Sequence, residues 1–421
     1  MLRILALIMI LAGSARAATF TAADCERATI NTIIANDINP GAGGDTLVVP
    51  PGYCTWTAAL TTFTKGVTLK GYGAYIYIDG VSSPINFGTA ASCTLEGFKI
   101  EWSGVPSGTV MVAIRGQTFR VTRNYFLNTA TGGSSTNPAV FINGGTSIDH
   151  PTGVVDHNYF DKGRVLVYGN AAIPGNPGAD PEPWRLTSSI GNTDQTGVVY
   201  VEDNYFTRTD ATHNATDSQY GGRYVFRYNT VVNGSTECHS VNGNERGCRS
   251  FEIYQNDFSA TIEMQHAFFQ RAGTGVIWGN TIAGTNYIAG GFKFDNIRSY
   301  TNVAIAGCCD GLSSWDGNVT VGYPCRDQIG RGIDSADWPT STQVSDPVYE
   351  WSNTRNGVNW DPTVVNNGTD CKAGGSSADI ISGTDYIVDT EKPGYLTHTY
   401  PYPGIGSADQ QRPNVRKRGG F

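Results

Sequence analysis

The sequence predicts an all-β chain, a single right-handed parallel β-helix (solenoid) with an N-terminal capping helix and an irregular C-terminal extension. Two observations predict it. A pattern, apolar-x-x-Asn-x-apolar, recurs as Val121-Thr-Arg-Asn124-Tyr-Phe126, Val155-Asp-His-Asn158-Tyr-Phe160 and Val201-Glu-Asp-Asn204-Tyr-Phe206. It continues as Phe226-Arg-Tyr-Asn229-Thr-Val231, Ile253-Tyr-Gln-Asn256-Asp-Phe258 and Ile277-Trp-Gly-Asn280-Thr-Ile282, with a weaker echo around Asn318. The shortest Asn-to-Asn interval is 24 residues and the longer ones vary, so each repeat is one structural turn with loops of variable length inserted. Composition agrees: 52 glycines and only 16% charged residues favour a β surface over exposed charged helices.

The elements follow in chain order. Arg3 precedes the apolar run Ile4 to Ala12 and the small-residue pattern Ala15-Arg16-Ala17, which predicts a secretory signal over 1–17 and a mature protein outside the cytoplasm. Residues 18–310 form the solenoid with its cap, and 311–421 form C-terminal coils and an extension packing on it. A helix is expected from Thr21 to Asn36, capped by Thr21 or Asp24, with Cys25, Ala28, Ile30, Ile33 and Ile34 as its apolar stripe. Laid over the open end, it would shield the first unpaired strands. Asp45-Thr-Leu-Val-Val and Gly66-Val-Thr-Leu-Lys read as short strands punctuated by Gly and Pro.

A second strand precedes many Asn motifs, at Val110–Ile114, Ala139–Ile142, Val165–Tyr168, Ala267–Phe269 and Phe292–Phe294. Each Asn should sit in a tight turn and bond its equivalents in the coils above and below, forming a ladder of amides. Insertions at 127–138 and 170–196 should emerge on one side as walls beside the stacked strands. Nine cysteines in an exported chain point to disulfides. Cys25 with Cys54 would tie the cap to the first coil, Cys238 and Cys248 bracket a loop, and Cys308, Cys309, Cys325 and Cys371 lie in the irregular part. Cys93, in an apolar run, is the candidate free thiol. No spacing resembles a zinc site. A net charge of −8 argues against a nucleic-acid partner, no further apolar run is long enough for a membrane, and oligomeric state is not legible.

The helix, the Gly44-Asp-Thr-Leu-Val-Val-Pro-Pro-Gly and Leu69-Lys-Gly-Tyr-Gly segments, the Asn repeat and Val154-Val-Asp-His-Asn158 together resemble the pectate-lyase-like β-helix superfamily over residues 20 to 300. That superfamily includes polysaccharide lyases, glycoside hydrolases and noncatalytic spikes. The resemblance implies an extracellular glycan as partner, and places Asp156 where pectate lyases hold calcium. The arginine signature of those lyases and the paired-aspartate signature of polygalacturonases have no counterpart here.

Two positions before each ladder Asn, the side chains Thr122, Asp156, Glu202, Arg227, Tyr254 and Trp278 should face outward. A uronate eliminase needs a cation to withdraw charge from the sugar carboxylate and a base to remove the C5 proton. Asp156 and Glu202, with Asp203 as a third ligand, are the candidates to hold calcium. Arg227 is the candidate to face substrate, as proton acceptor or carboxylate clamp. A solvated surface ion pair is the plain alternative. A second cluster, between Asp217 and Asp295, brings Arg223, His239, Arg246, Arg249, Arg271 and Lys293 onto neighbouring coils. There Arg223, His239 and Lys293 are further catalytic candidates, and Arg249 and Arg271 substrate-binding ones. Tyr125, Tyr159 and Tyr205 should stack on one face, with Tyr159 and Tyr205 binding sugar rings or the stack merely sealing the β surface; Trp184 and Trp315 are comparable. The leading expectation is a secreted polysaccharide lyase. A hydrolase using Asp156 with Asp203, or Glu252 with Glu263, and a noncatalytic glycan-binding solenoid or adhesin are the alternatives.

Overall fold

The computed structural model describes residues 17–88, 92–104, 106, 108–115, 118–130, 137–143, 151–169, 197–210, 214–239, 247–288, 291–295, 327–334, 343–365 and 380–403. These residues are organised by three long, parallel sheets, here called A, B and C. The chain passes through them in turn. Thr118–Thr122 lies in sheet A, Tyr125–Asn128 in sheet B and Val140–Asn143 in sheet C. The next pass, Thr152–Asp156, Tyr159–Asp161 and Val165–Tyr168, pairs in register with each of these in parallel. This all-β arrangement is compatible with a β-helix solenoid.

Sheet A contains Val199–Glu202, Arg223–Arg227, Ser250–Tyr254 and Thr274–Trp278 in succession. Val348–Trp351, Thr354–Arg355 and Val364–Val365 add a further pass through sheets A, B and C. Inward residues form continuous rows. Val121, Val155, Val201, Phe226, Ile253 and Ile277 are fully buried along sheet A. Beneath sheet B, Phe126, Phe160 and Phe206 stack at 5.1 and 4.5 Å between ring centroids.

The turn from sheet A to sheet B explains the Asn repeat. The residue before each ladder Asn lies in the left-handed region: Arg123, His157, Asp203, Tyr228 and Gln255 all have φ of 56°, and Gly279 has 61°. For residues other than glycine this costs about 1–2 kcal/mol each, and the ladder offsets it. Asn204 Nδ2 donates to Glu202 O (2.9 Å), to Val155 O in the previous coil (2.8 Å) and to Asn229 Oδ1 in the next (3.1 Å). The same chain of amides links Asn124, Asn158, Asn204, Asn229, Asn256 and Asn280. Its next rung is Asn353, which accepts from Asn280 Nδ2 at 2.9 Å. Asn318, the expected echo, lies outside the described residues.

The cap differs from expectation at its start. Thr19–Thr21 is a strand paired with Asp45–Val48, so the α-helix is confined to Arg27–Ile33 and continues as a π-helical segment, Ile34–Ile38. Ladder hydrogen bonds outcompete the helix there, and Asp24 bonds the Glu26 N–H without capping the helix. Ile30, Ile34 and Ile38 are buried in the core. Cys25–Cys54 and Cys238–Cys248 are disulfides, and Cys93 is a free buried thiol whose pKa burial pushes up to about 12. The four later cysteines lie outside the described residues. Disulfides fit an oxidising compartment. Among the described residues, no helix is long and apolar enough to cross a membrane.

Candidate functional site

Buried charged side chains concentrate on the outer faces of sheets A and C. On sheet A the outward row is in register as expected, Thr122–Asp156–Glu202–Arg227–Tyr254–Trp278. Its charges are matched within the chain. Arg120 Nε and Nη2 grip Asp156 at 3.0 and 2.8 Å, and His157 Nδ1 meets the same carboxylate at 2.7 Å. Burial pulls against both charged forms, but these contacts hold Asp156 below the usual carboxylate range and His157 above the usual imidazole value.

Arg227 is fully buried. Its Nε and Nη2 pair with Glu202 Oε2 at 2.7 and 2.6 Å; Nη1 donates to Tyr254 Oη and His398 O, and Nη2 to Thr399 O. All five donors of the guanidinium are engaged. Residues 395–402 cross this face as a strap. Tyr400 Oη donates to both Asp203 oxygens (2.7 and 2.8 Å), Tyr402 N to Glu202 Oε1 (2.8 Å), and Tyr395 Oη to Glu252 Oε2 (2.7 Å). His398 sits between Glu252 Oε1 and Tyr200 Oη at 2.9 and 3.1 Å.

Two expectations are corrected by this face. Asp156, Glu202 and Asp203 do not fit a calcium ion, because arginine, histidine, a tyrosine hydroxyl and a backbone N–H already engage them, and each is nearest a different partner. Arg227 faces the strap and its carboxylate, so it presents no group outward to a substrate. The carboxylate pairs considered for hydrolysis fare no better: Glu252 is buried beneath the strap while Glu263 is exposed. On sheet B, Tyr125, Tyr159 and Tyr205 do stack, with interplanar angles of 4° and 11° and centroids 4.6 and 5.2 Å apart. Tyr159 therefore has both faces covered by its neighbours, whereas Tyr205 is stacked on one face and has Thr230 as its next strand neighbour.

Sheet C is organised differently. Strand alternation in Thr216–Gln219, Thr236–Cys238, Phe268–Gln270 and Phe292–Phe294 turns Asp217, Glu237, Phe269 and Lys293 outward on successive passes. His239 and Arg271, each two residues beyond this row, stand beside it. His239 Nδ1 lies 3.3 Å from Glu237 Oε1 and 3.8 Å from Asp217 Oδ2. Arg271 Nη2 forms an ion pair with Glu237 Oε1 and donates to His239 Nδ1 at 2.5 Å. Arg164 Nη1 approaches Asp217 Oδ2 at 3.7 Å, and Lys293 Nζ meets Asp295 Oδ2 at 2.5 Å. The Arg271 guanidinium and Lys293 Nζ lie 4.7 and 4.9 Å from the Phe269 ring centroid.

Of the other predicted residues, Arg223 belongs to sheet A, where its Nε donates to Gly197 O at 3.1 Å, and Arg249 is buried at the neighbouring corner. Neither is placed against the Phe269 shelf by these contacts. Arg246, Trp184 and Trp315 lie outside the described residues. Reading the sequence for cations passed over Asp217 and Glu237 as ligand-type groups. The alternation Thr-Asp-Ser-Gln and Thr-Glu-Cys-His, in adjacent coils, is the signal that puts both carboxylates and His239 on one face.

The connectivity marks the same edge. The sheet C strands Val165–Tyr168, Thr216–Gln219, Thr236–Cys238, Phe268–Gln270 and Phe292–Phe294 end side by side at this edge, while the insertion expected at 170–196 lies outside the described residues. Chemically, the face combines cations that can neutralise a carboxylate with an imidazole that can serve as a base or a ligand. Compared with known proteins, this chain matches no family, no curated protein and no solved structure.

Proposed function

We propose that this protein is a secreted, right-handed parallel β-helix enzyme that cleaves a uronate-containing polysaccharide by β-elimination on the outer face of sheet C. Right-handedness follows from the strong chiral preference of parallel crossover connections. Export is supported by the signal-like first 17 residues and by the two disulfides.

The observation that carries the reaction is the grouping of Arg271 and Lys293 over Phe269 with His239 alongside. In this reading the Arg271 guanidinium binds the uronate carboxylate through its fork of donors and withdraws charge, acidifying the C5 proton. Phe269 supplies an apolar floor for the sugar ring. His239 is the base: the nitrogen that accepts from Arg271 carries a lone pair, which takes the C5 proton once the guanidinium turns to the uronate carboxylate. Lys293 is the acid that protonates the departing glycosidic oxygen. Placement on rigid, register-paired strands keeps these groups oriented.

The test is incubation of the mature protein with a panel of polyuronates and neutral glycans, reading ultraviolet absorbance of the unsaturated product alongside reducing ends. Both signals are expected on at least one polyuronate. Reducing ends without unsaturation mean hydrolysis, and silence across the panel removes the enzymatic reading.

A further inference from the structure

We propose that Asp217, Glu237 and His239 form a binding site for a divalent first-row transition metal, at a seat shared with the Arg271 guanidinium. The site lies on the face assigned to the reaction, but its binding is read directly and does not depend on that reading.

One ligand atom from each of the three residues falls within 4.8 Å of the others. The strands fix this: Thr216 pairs with Thr236, which sets Asp217 beside Glu237, and His239 follows on the same side of the strand. An ion with bonds of ~2.0–2.2 Å keeps its ligands within ~4.4 Å of one another, so small side-chain rotations close the group around it.

A second observation points to a ligand. Asp217 is 3% exposed, yet its Oδ1 has no hydrogen-bond partner. The guanidinium engages Glu237 and His239 and leaves that oxygen unmatched. An ion at the same seat would draw all three ligands together. Asn214 Nδ2 donates to Glu237 Oε2, orienting the carboxylate from behind as an outer hydrogen bond does in metal sites.

The donor set selects the metal class. Calcium takes six to eight oxygens, whereas an imidazole beside two carboxylates suits zinc and its neighbours. A metal here must displace Arg271, which would release the guanidinium toward the outer face.

Titration of the full-length protein with Zn²⁺ by calorimetry, with Ca²⁺ as comparator, tests this. Saturable Zn²⁺ binding is expected, at least tenfold tighter than Ca²⁺. Asp217→Asn and His239→Gln should each weaken it at least tenfold, with circular dichroism reporting the fold. Removing the competing charge in Arg271→Gln should tighten it, while Asp361→Asn, in a separate carboxylate group with Glu350 and Asp389, should leave this site unchanged. The absence of saturable binding, equal affinity for Ca²⁺, or superimposable curves for folded His239→Gln and wild type would overturn the site. Unaltered affinity in Arg271→Gln would overturn the shared seat.

Discussion

The outer faces of sheets A and C both carry carboxylates and arginines on successive coils, yet only one keeps chemistry to spare. On sheet A the C-terminal strap engages Glu202, Asp203, Arg227 and Glu252, Arg120 and His157 hold Asp156, and Arg227 spends every donor on the chain itself. On sheet C a buried Asp217 oxygen lacks a hydrogen-bond partner and the His239 side chain is 22% exposed. A line of charges on stacked parallel strands is therefore structural when its own chain completes the hydrogen bonds. It becomes a candidate site where they are left incomplete.

The comparison can be broken first at its reactive side. His239→Gln should lower the rate of unsaturated-product formation by about 10²–10⁴-fold, the range for a lost acid–base group, with little change in urea midpoint. Full activity in this variant would detach the reaction from sheet C. On the closed side, Arg227→Ala leaves Glu202 buried and uncompensated, for a loss of about 3–5 kcal/mol in urea unfolding. The folded fraction should keep its specific activity. A folded Arg227→Ala protein without activity would return the site to sheet A.

A smaller effect is expected at the ladder, which both faces share. Asn204→Ala removes donors to two carbonyls and to Asn229 and should cost about 2–3 kcal/mol, read by the same unfolding curves. Equal loss in an exposed-loop control would deny the ladder that role.

The smallest effect sharpens the closed face by pH. His157 has its pKa raised by Asp156, so its contribution is fully present below the ordinary imidazole value of about 6.5 and fades as pH rises through the folded value. The stability difference between wild type and His157→Gln should be below about 1 kcal/mol at acidic pH and shrink at alkaline pH. A difference that grows with pH would contradict the ion pair with Asp156.

Much of the fold is legible locally. The Asn pattern reports its own turn, because a left-handed residue followed by an amide that bridges coils is a short-range requirement, and Val165–Tyr168 and Phe292–Phe294 end where alternation ends. Asn353 was not legible: 73 residues separate it from Asn280, and sequence spacing says nothing about which distant amide completes the ladder. The site was half legible. His239, Arg271 and Lys293 emerge as cations near one another, whereas the pairing of Asp217 with Glu237 needs the coil register.

Sequence alone determines the all-β class, the coil length, which side chains face inward and the free thiol at Cys93, since each depends on patterns within a few residues. Tertiary structure alone decides that residues 395–402 return to cover sheet A and that Arg271 reaches Glu237 and His239 across a coil. Those are meetings between segments far apart in the chain, selected by burial and by the need to pair charge, and no local pattern encodes which of two similar charged faces will be closed.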